Sequence, residues 1–217
     1  MGRISMVLLG LAVLIIAGSA QAGVIVDWEA DSWPTDPDVE VQNNPSGFKD
    51  VTGNRNLGQG FRLPDDDYEA GETLQLEHIF IRLQNDQSNT GNITIKLLDV
   101  EDTNASTLSG TEVFSFDVST ADFDGDTIVD FEITDGPELD PTSGDDGYVF
   151  QIIDGGTFHF RWIRDGSDVY DDGGAYIEGG WENKDYSLAI TGTVVPEPAT
   201  MGLLAIGGLG MLLRRRK

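Results

Sequence analysis

A two-residue periodicity, recurring between residues 73 and 190 with no competing helical period, is the feature that most narrows what this chain can fold into. Ile93, Ile95 and Leu97 alternate with Thr94 and Lys96, and Val129, Phe131 and Ile133 alternate with Asp130 and Glu132. Tyr148, Phe150 and Ile152 form one face; Phe158, Phe160 and Trp162 form another, with His159 and Arg161 opposite. Tyr186, Leu188 and Ile190 close the series. Successive side chains of a strand point to opposite faces, so each run offers one apolar face for burial. Between Thr73 and Gln84 the phase changes: Leu74 and Leu76 come first, then Ile79, Ile81 and Leu83, a slip that predicts a β-bulge. Turn clusters separate the runs at Asn89–Asn92, at Ser143–Gly147 and at Asp154-Gly155-Gly156, the last of which predicts a hairpin. About nine short strands joined in this way predict an all-β fold, a β-sandwich of jelly-roll type. Asp31 to Asn56 is polar and holds Trp33-Pro34-Thr35-Asp36-Pro37, which predicts a long irregular loop with at most one short strand.

The two ends have a different character. Arg3, an apolar run from Val7 to Ala17 and the small-x-small site Ala20-Gln21-Ala22 have the layout of a secretory signal peptide. Cleavage after Ala22 would start the mature chain at Gly23. At the other end, Pro196-Glu197-Pro198 precedes an apolar, Gly-rich run from Met201 to Leu213 and the basic cluster Arg214, Arg215, Arg216 and Lys217. As a helix, a run of this length is shorter than a hydrocarbon core of ~30 Å. Terminal cations that snorkel to the headgroups make up part of the difference and keep this end cytoplasmic. The expected organisation is therefore a signal-peptide helix (1–22), a β-sandwich body (23–195) and a tail with a short transmembrane helix (196–217).

Signal, motif, short helix and basic end together resemble the PEP-CTERM sorting signal of exported bacterial proteins. The resemblance implies recognition of the tail by the membrane protease-transpeptidase exosortase, passage through the secretion machinery and a transient membrane anchor. It also implies a cell-surface or extracellular destination among extracellular polysaccharide. The body is similar to a recurrent exported module with a lectin-like sandwich, through Leu57-Gly58-Gln59-Gly60-Phe61, Leu76–Leu83, Ile93–Leu97 and Tyr148-Val149-Phe150. That second resemblance implies fold and not function.

Charge limits the partners. The full chain has 13 basic and 38 acidic residues; the ends hold Arg3, the four terminal cations and Glu197, leaving 8 against 37, a formal charge of −29. Nucleic acid, which is bound through clustered Lys and Arg, is not an expected partner. Cysteine is absent, so no disulfide, thiol nucleophile or thiolate metal site exists, and the core must hold the body together. The two histidines, His78 and His159, sit in strand-like runs.

Among the acids, Asp122, Asp124, Asp126 and Asp130 fall at relative positions 1, 3, 5 and 9, the spacing by which calcium loops wrap one cation with oxygens. They resemble the Asp-x-Asp-x-Asp calcium loops of EF-hand and dockerin type, but Gly125 sits at position 4, Glu132 at position 11, and the flanks read as strands. The same residues also read as a solvated acidic turn leading into the Val129-Phe131-Ile133 strand, and calcium is the one candidate cofactor. Tyr170, Asp171, Asp172, Tyr176 and Trp181 combine aromatic rings with carboxylates, as sugar-binding surfaces do. No catalytic motif occurs: Glu132, Asp135 and Glu138 are not spaced to share a strand face, and no Gly-x-Ser-x-Gly elbow is present. The sequence therefore predicts a non-enzymatic surface or matrix protein that binds polysaccharide. The alternative is a secreted carbohydrate-active enzyme with an unrecognised carboxylate pair.

Overall fold

The computed structural model describes residues 23–41, 47–51, 56–63, 67–85, 92–119, 125–142, 144–154, 160–164 and 170–196. The expected signal peptide and the tail beyond Pro196 lie outside the described residues, as do His159 and Phe158. Among the described residues no helix is long and apolar enough to cross a membrane.

The described residues are all-β. Their strands are β1 (Gly23–Asp27), β2 (Val39–Glu40), β3 (Gly47–Val51), β4 (Asn56–Phe61), β5 (Thr73–Asn85), β6 (Asn92–Val100) and β7 (Thr111–Ser119). The remainder are β8 (Gly125–Thr134), β9 (Glu138–Leu139), β10 (Gly147–Asp154), β11 (Phe160–Arg164), β12 (Ala175–Ile177), β13 (Gly180–Glu182) and β14 (Leu188–Val195). They form two antiparallel sheets. The first follows the order β1-β8-β5-β11-β3, with β14 also on β5, β2 on β14 and β9 on β5; the second runs β13-β12-β4-β10-β6-β7.

One core lies between them. Ile79, Ile81 and Leu83 of β5, Phe131 of β8 and Trp162 of β11 meet Phe61 of β4, Ile95 of β6 and Phe150 of β10, all fully buried. Aromatic rings run through it: Tyr186 stacks on Trp162 at 4.6 Å, Trp162 meets Phe150 edge-on at 5.8 Å, and Phe150 tilts against Phe131 at 6.0 Å. Rings at these spacings add about 0.5–1.5 kcal/mol per pair beyond their buried area. The alternating runs at 93–97, 129–133, 148–152 and 186–190 thus bury the faces their periodicity predicts.

β5 is the strand on which the first sheet is built. One edge pairs with β8 and β9; the other pairs with β14 over Thr73–Ile81 and then with β11 at Leu83 and Gln84. Ser187 joins the two partners at the changeover. Its hydroxyl lies 2.9 Å from the Arg82 N–H that donates to it, its own N–H donates to Ile163 O, and its carbonyl accepts the Trp162 indole N–H. The expected bulge is present. His78 pairs with Thr191 and Leu76 with Gly192, so Glu77 is the extra residue. Opposite it, Asp135 takes a left-handed φ of 53°, Leu76 N–H donates to Pro137 O, and the Gln75 amide donates to Gly136 O.

Two expectations change. Asp154-Gly155-Gly156 does not make a hairpin, because β10 lies between β4 and β6 in the second sheet whereas β11 lies between β3 and β5 in the first. The region from Asp31 to Asn56 contains β2 and β3 rather than at most one strand. Apolar alternation is weak in both, since β2 has only two residues and β3 is a sheet edge. β7 also escapes the periodicity, because Val113 is an extra residue where its register with β6 shifts between Leu97 and Leu98.

Gly136 is a close-approach site: a Cβ there would run into the Leu76 carbonyl and the Ile133 side chain. Gly136→Ala is expected to cost about 1–3 kcal/mol, the range for overpacking. At about 2–4 °C per kcal/mol for a domain of this size, thermal melts should show a clear drop; an unchanged melting temperature would contradict the packing.

Candidate functional site

Two features stand out where chain chemistry meets solvent. The first is the exit of β14. Val195 pairs with Thr73, the first residue of β5, and exposed Pro196 follows without a linker. Proline has no N–H to donate, so the ladder stops there. Pro196 is the described member of the sorting motif; Glu197, Pro198, Arg214, Arg215, Arg216 and Lys217 lie outside the described residues, as do Ala20 and Ala22.

The second is the outer face of the first sheet. With Ile79, Ile81 and Leu83 turned inward, His78, Phe80, Arg82 and Gln84 face out, and across the ladder Asp126, Ile128, Asp130 and Glu132 do the same. Residues 28–38 cross this face, because β1 pairs with β8 on one side of β5 while β2 pairs with β14 on the other. The crossing is tied down at both ends. Ala30 N–H donates to Ile128 O, the Thr127 hydroxyl donates to Trp28 O, and the Trp33 indole donates to Glu40 at 3.0 Å. Beside it lies a groove of about 350 Å³ whose lining includes Glu29, Arg82, Asp126, Thr127, Ile128 and Ile163.

Arg82 is unusual in so acidic a chain. Arg62 pairs with Asp145 and Asp172, Lys96 with Glu112, and Arg164 with Glu182. The Arg82 guanidinium makes no ion pair among the described residues and instead lies 5.9 Å from the centre of the Trp33 ring. That distance is within cation–π range. Sequence reasoning passed over both residues. Trp33 sits between polar and proline positions, and Arg82 occupies an ordinary outward position of an alternating strand; only the crossing brings them together.

Of the four acidic residues expected as calcium ligands, Asp126 and Asp130 are described, and these two lie apart. Asp126 stands at the start of β8, accepting the Gln84 amide at 2.6 Å, and Asp130 lies four residues on, with the His78 ring Nδ1 at 3.0 and 3.1 Å from its two oxygens. Four residues of strand span about 13 Å. Oxygens on one calcium ion lie about 5 Å apart or less. The strand therefore draws Asp130 away from Asp126; Asp122 and Asp124 lie outside the described residues. Among the described residues no group of three or more His, Asp or Glu side chains is arranged to hold a metal. Burial pushes the Asp130 carboxyl above its ordinary range, against the opposing pull of His78, with Glu132 and Asp27 adding to the rise.

The aromatic–acid cluster also divides. Tyr176 is fully buried with its hydroxyl donating to Thr103 O at 2.7 Å, and the mostly buried Tyr170 hydroxyl accepts the Arg62 N–H. These rings serve packing and the Arg62 network, so they offer no stacking face. Burial raises both phenols to about 12. Trp181 is the exposed ring of the set, at 37%, with its indole donating to Asn104. Next to the loop that carries Asn104 is a further groove of about 520 Å³, lined by Asp99, Glu101, Asp102, Thr107, Ser109 and Thr111.

Residues 194–217 match the model of the PEP-CTERM protein-sorting motif, so the chain carries that motif. This is the signal of exported proteins processed by exosortase. No curated protein and no solved structure shows a significant match to the chain.

Proposed function

We propose that this chain is a non-enzymatic surface or matrix protein: an exported β-sandwich whose tail holds it briefly at the membrane and whose body binds extracellular polysaccharide. The sorting-motif match at 194–217 carries this reading. A body of jelly-roll type is supported by the way successive strands pass repeatedly between the two sheets, as in β3 to β4, β5 to β6 and β10 to β11. Removal of residues 1–22 is proposed from the basic start, the apolar run and the Ala20-Gln21-Ala22 site. The final destination is the cell surface or the extracellular matrix.

The groove beside Arg82 is the proposed glycan site. Its carboxylates at Glu29 and Asp126 accept sugar hydroxyls, Arg82 donates, and Ile128 and Ile163 give apolar contact. A body charge of −29 disfavours polyanions, so the ligand is a neutral, hydroxyl-rich polysaccharide. The acidic loop is the proposed calcium site through Asp122, Asp124 and Asp126, with Asp130 left outside by its place in β8.

Three outcomes are expected. Glu197→Ala leaves the chain in the membrane fraction, whereas release at the normal rate would count against exosortase sorting. On a glycan array, Arg82→Ala weakens the best neutral ligand at least several-fold while thermal melts stay close to the parent. Equal binding would remove the groove from the proposal, and bond cleavage of the ligand would remove the non-enzymatic reading. Millimolar calcium raises the melting temperature of the parent and of Asp130→Asn but not of Asp124→Ala; a flat response of the parent would eliminate the ion site.

A further inference from the structure

The sorting-motif match begins at residue 194, yet β14 extends to Val195. Two residues thus belong both to the sorting segment and to the folded sheet, where Val194 opposes Leu74 and Val195 opposes Thr73. We propose that residues 192–195 are a release segment, which must peel from β5 before the tail can be processed, so that the sheet itself sets the rate of processing. The inference rests on the reading that the tail is cut at or beside Pro196-Glu197-Pro198.

Reach is the first reason. Residues 196–200 are all that separate the sheet from the apolar run that starts at Met201. Fully extended, five residues cover about 17 Å. A membrane enzyme that grips its substrate as extended chain on both sides of the motif has to fit between the bilayer and the end of the sheet. Four more residues from β14 add about 14 Å.

Local stability is the second. Leu188, Ala189 and Ile190 are fully buried, and β2 pairs with Ala189 and Ile190 on the far edge of β14. Beyond that point burial fades and Val194 is 42% exposed. Among the described residues, 192–195 pair with a strand on one side only, that of β5. Two side-chain contacts reinforce them: Gly192 N–H donates to Asp38 at 2.8 Å, and the Thr193 hydroxyl donates to Glu77 at 2.7 Å. A segment with one ladder and little apolar burial opens at a free energy well below that of the whole domain.

The hinge is the third. The β5–β14 register shifts between Thr191 and Gly192, so the ladder beyond the bulge is offset from the buried part before it. A side chain at 192 would collide with the Gln75 carbonyl, which accounts for the glycine there. Glycine supplies the backbone freedom to open at that point.

The test uses the full-length chain in cells that process it, followed by pulse-chase of tail removal. Thr73→Cys with Val195→Cys places two cysteines directly opposite in an antiparallel pair, in a chain that otherwise has none. Opposed residues of such a pair lie within disulfide reach. Oxidised, this variant is expected to be processed several-fold more slowly than the parent, with the rate restored by reductant. It should also be restored by six Gly/Ser residues inserted between Val195 and Pro196. Asp38→Ala, which loosens Gly192, is expected to change the rate in the opposite direction. Processing of the oxidised variant at the parental rate, or failure of the insertion to rescue it, overturns the proposal. Glu197→Ala separates the two levels. If that variant is processed normally, the sorting reading itself fails; if it is blocked while the pinned variant runs at full speed, only the release segment fails.

Discussion

The pairing of β5 with four partners is the constraint on which the rest of the structure depends. Its thirteen residues bind β8 and β9 along one edge, then β14 and β11 in turn along the other. A strand that changes partner partway must satisfy the backbone groups at the changeover, since unpaired buried amides and carbonyls are costly. Ser187 meets this need with its hydroxyl, N–H and carbonyl at once, and it is fully buried. The Glu77 bulge lets the same strand keep Leu74 and Leu76 in the core together with Ile79, Ile81 and Leu83. Without the extra residue, one of these two sets would face solvent.

With no disulfides, cohesion falls to packing between the sheets and to a few buried polar side chains. Gln59 extends this cohesion across the core. From the Gly-rich β4 of the second sheet it accepts the Tyr186 N–H at 2.6 Å, next to the ring that stacks on Trp162 of the first. The glycines on either side of it serve close approach, since Gly60 N–H donates to the Gly174 carbonyl and a Cβ at 60 would crowd Thr103 O. Arg62 then ties the loops at the end of β4 through Asp145, Asp172 and Thr103. Aromatic row, buried amide and arginine network bind loops that are far apart in sequence.

Among the described acidic residues Asp185 is fully buried, where it accepts the Tyr170 N–H, and the others lie outside this frame. Within it Arg82 is held against Trp33, while Arg62, Lys96, Arg161 and Arg164 are tied to polar partners. At the opposite extreme of organisation is the end of β14, where burial and pairing thin out just as the sorting motif begins. The crossing beside the Arg82 groove is tied down by several hydrogen bonds, whereas burial and pairing are thin where β14 ends. Opening four residues at that edge would leave the pairing of β14 with β2 at Ala189 and Ile190 in place.

Much of this was legible in the residues. The alternation of Ile93, Ile95 and Leu97 or of Val129, Phe131 and Ile133 fixes which faces are buried, because the side-chain period of a strand is a local property. The slip between Leu76 and Ile79 located the bulge for the same reason, and the sorting motif is contiguous sequence that needs no fold to be read. Partner choice is not local. The Asp154-Gly155-Gly156 turn looks like a hairpin until β10 and β11 are found in different sheets, each with both edges already occupied. The Asp-x-Asp-x-Asp spacing groups Asp130 with Asp126 on paper, while an extended strand spreads them along its length. Tyr176 carries the same chemistry in sequence whether it is a sugar platform or a core residue, and only the packing of β12 against β4 beneath the 101–110 loop made it core. The sequence by itself determined the strands of regular alternation, their buried faces and the sorting motif at the C-terminal end. Only the tertiary structure decided which strands meet, that Trp33 crosses to Arg82, and that the sorting segment starts inside a paired strand, because each of these depends on contacts between residues far apart along the chain.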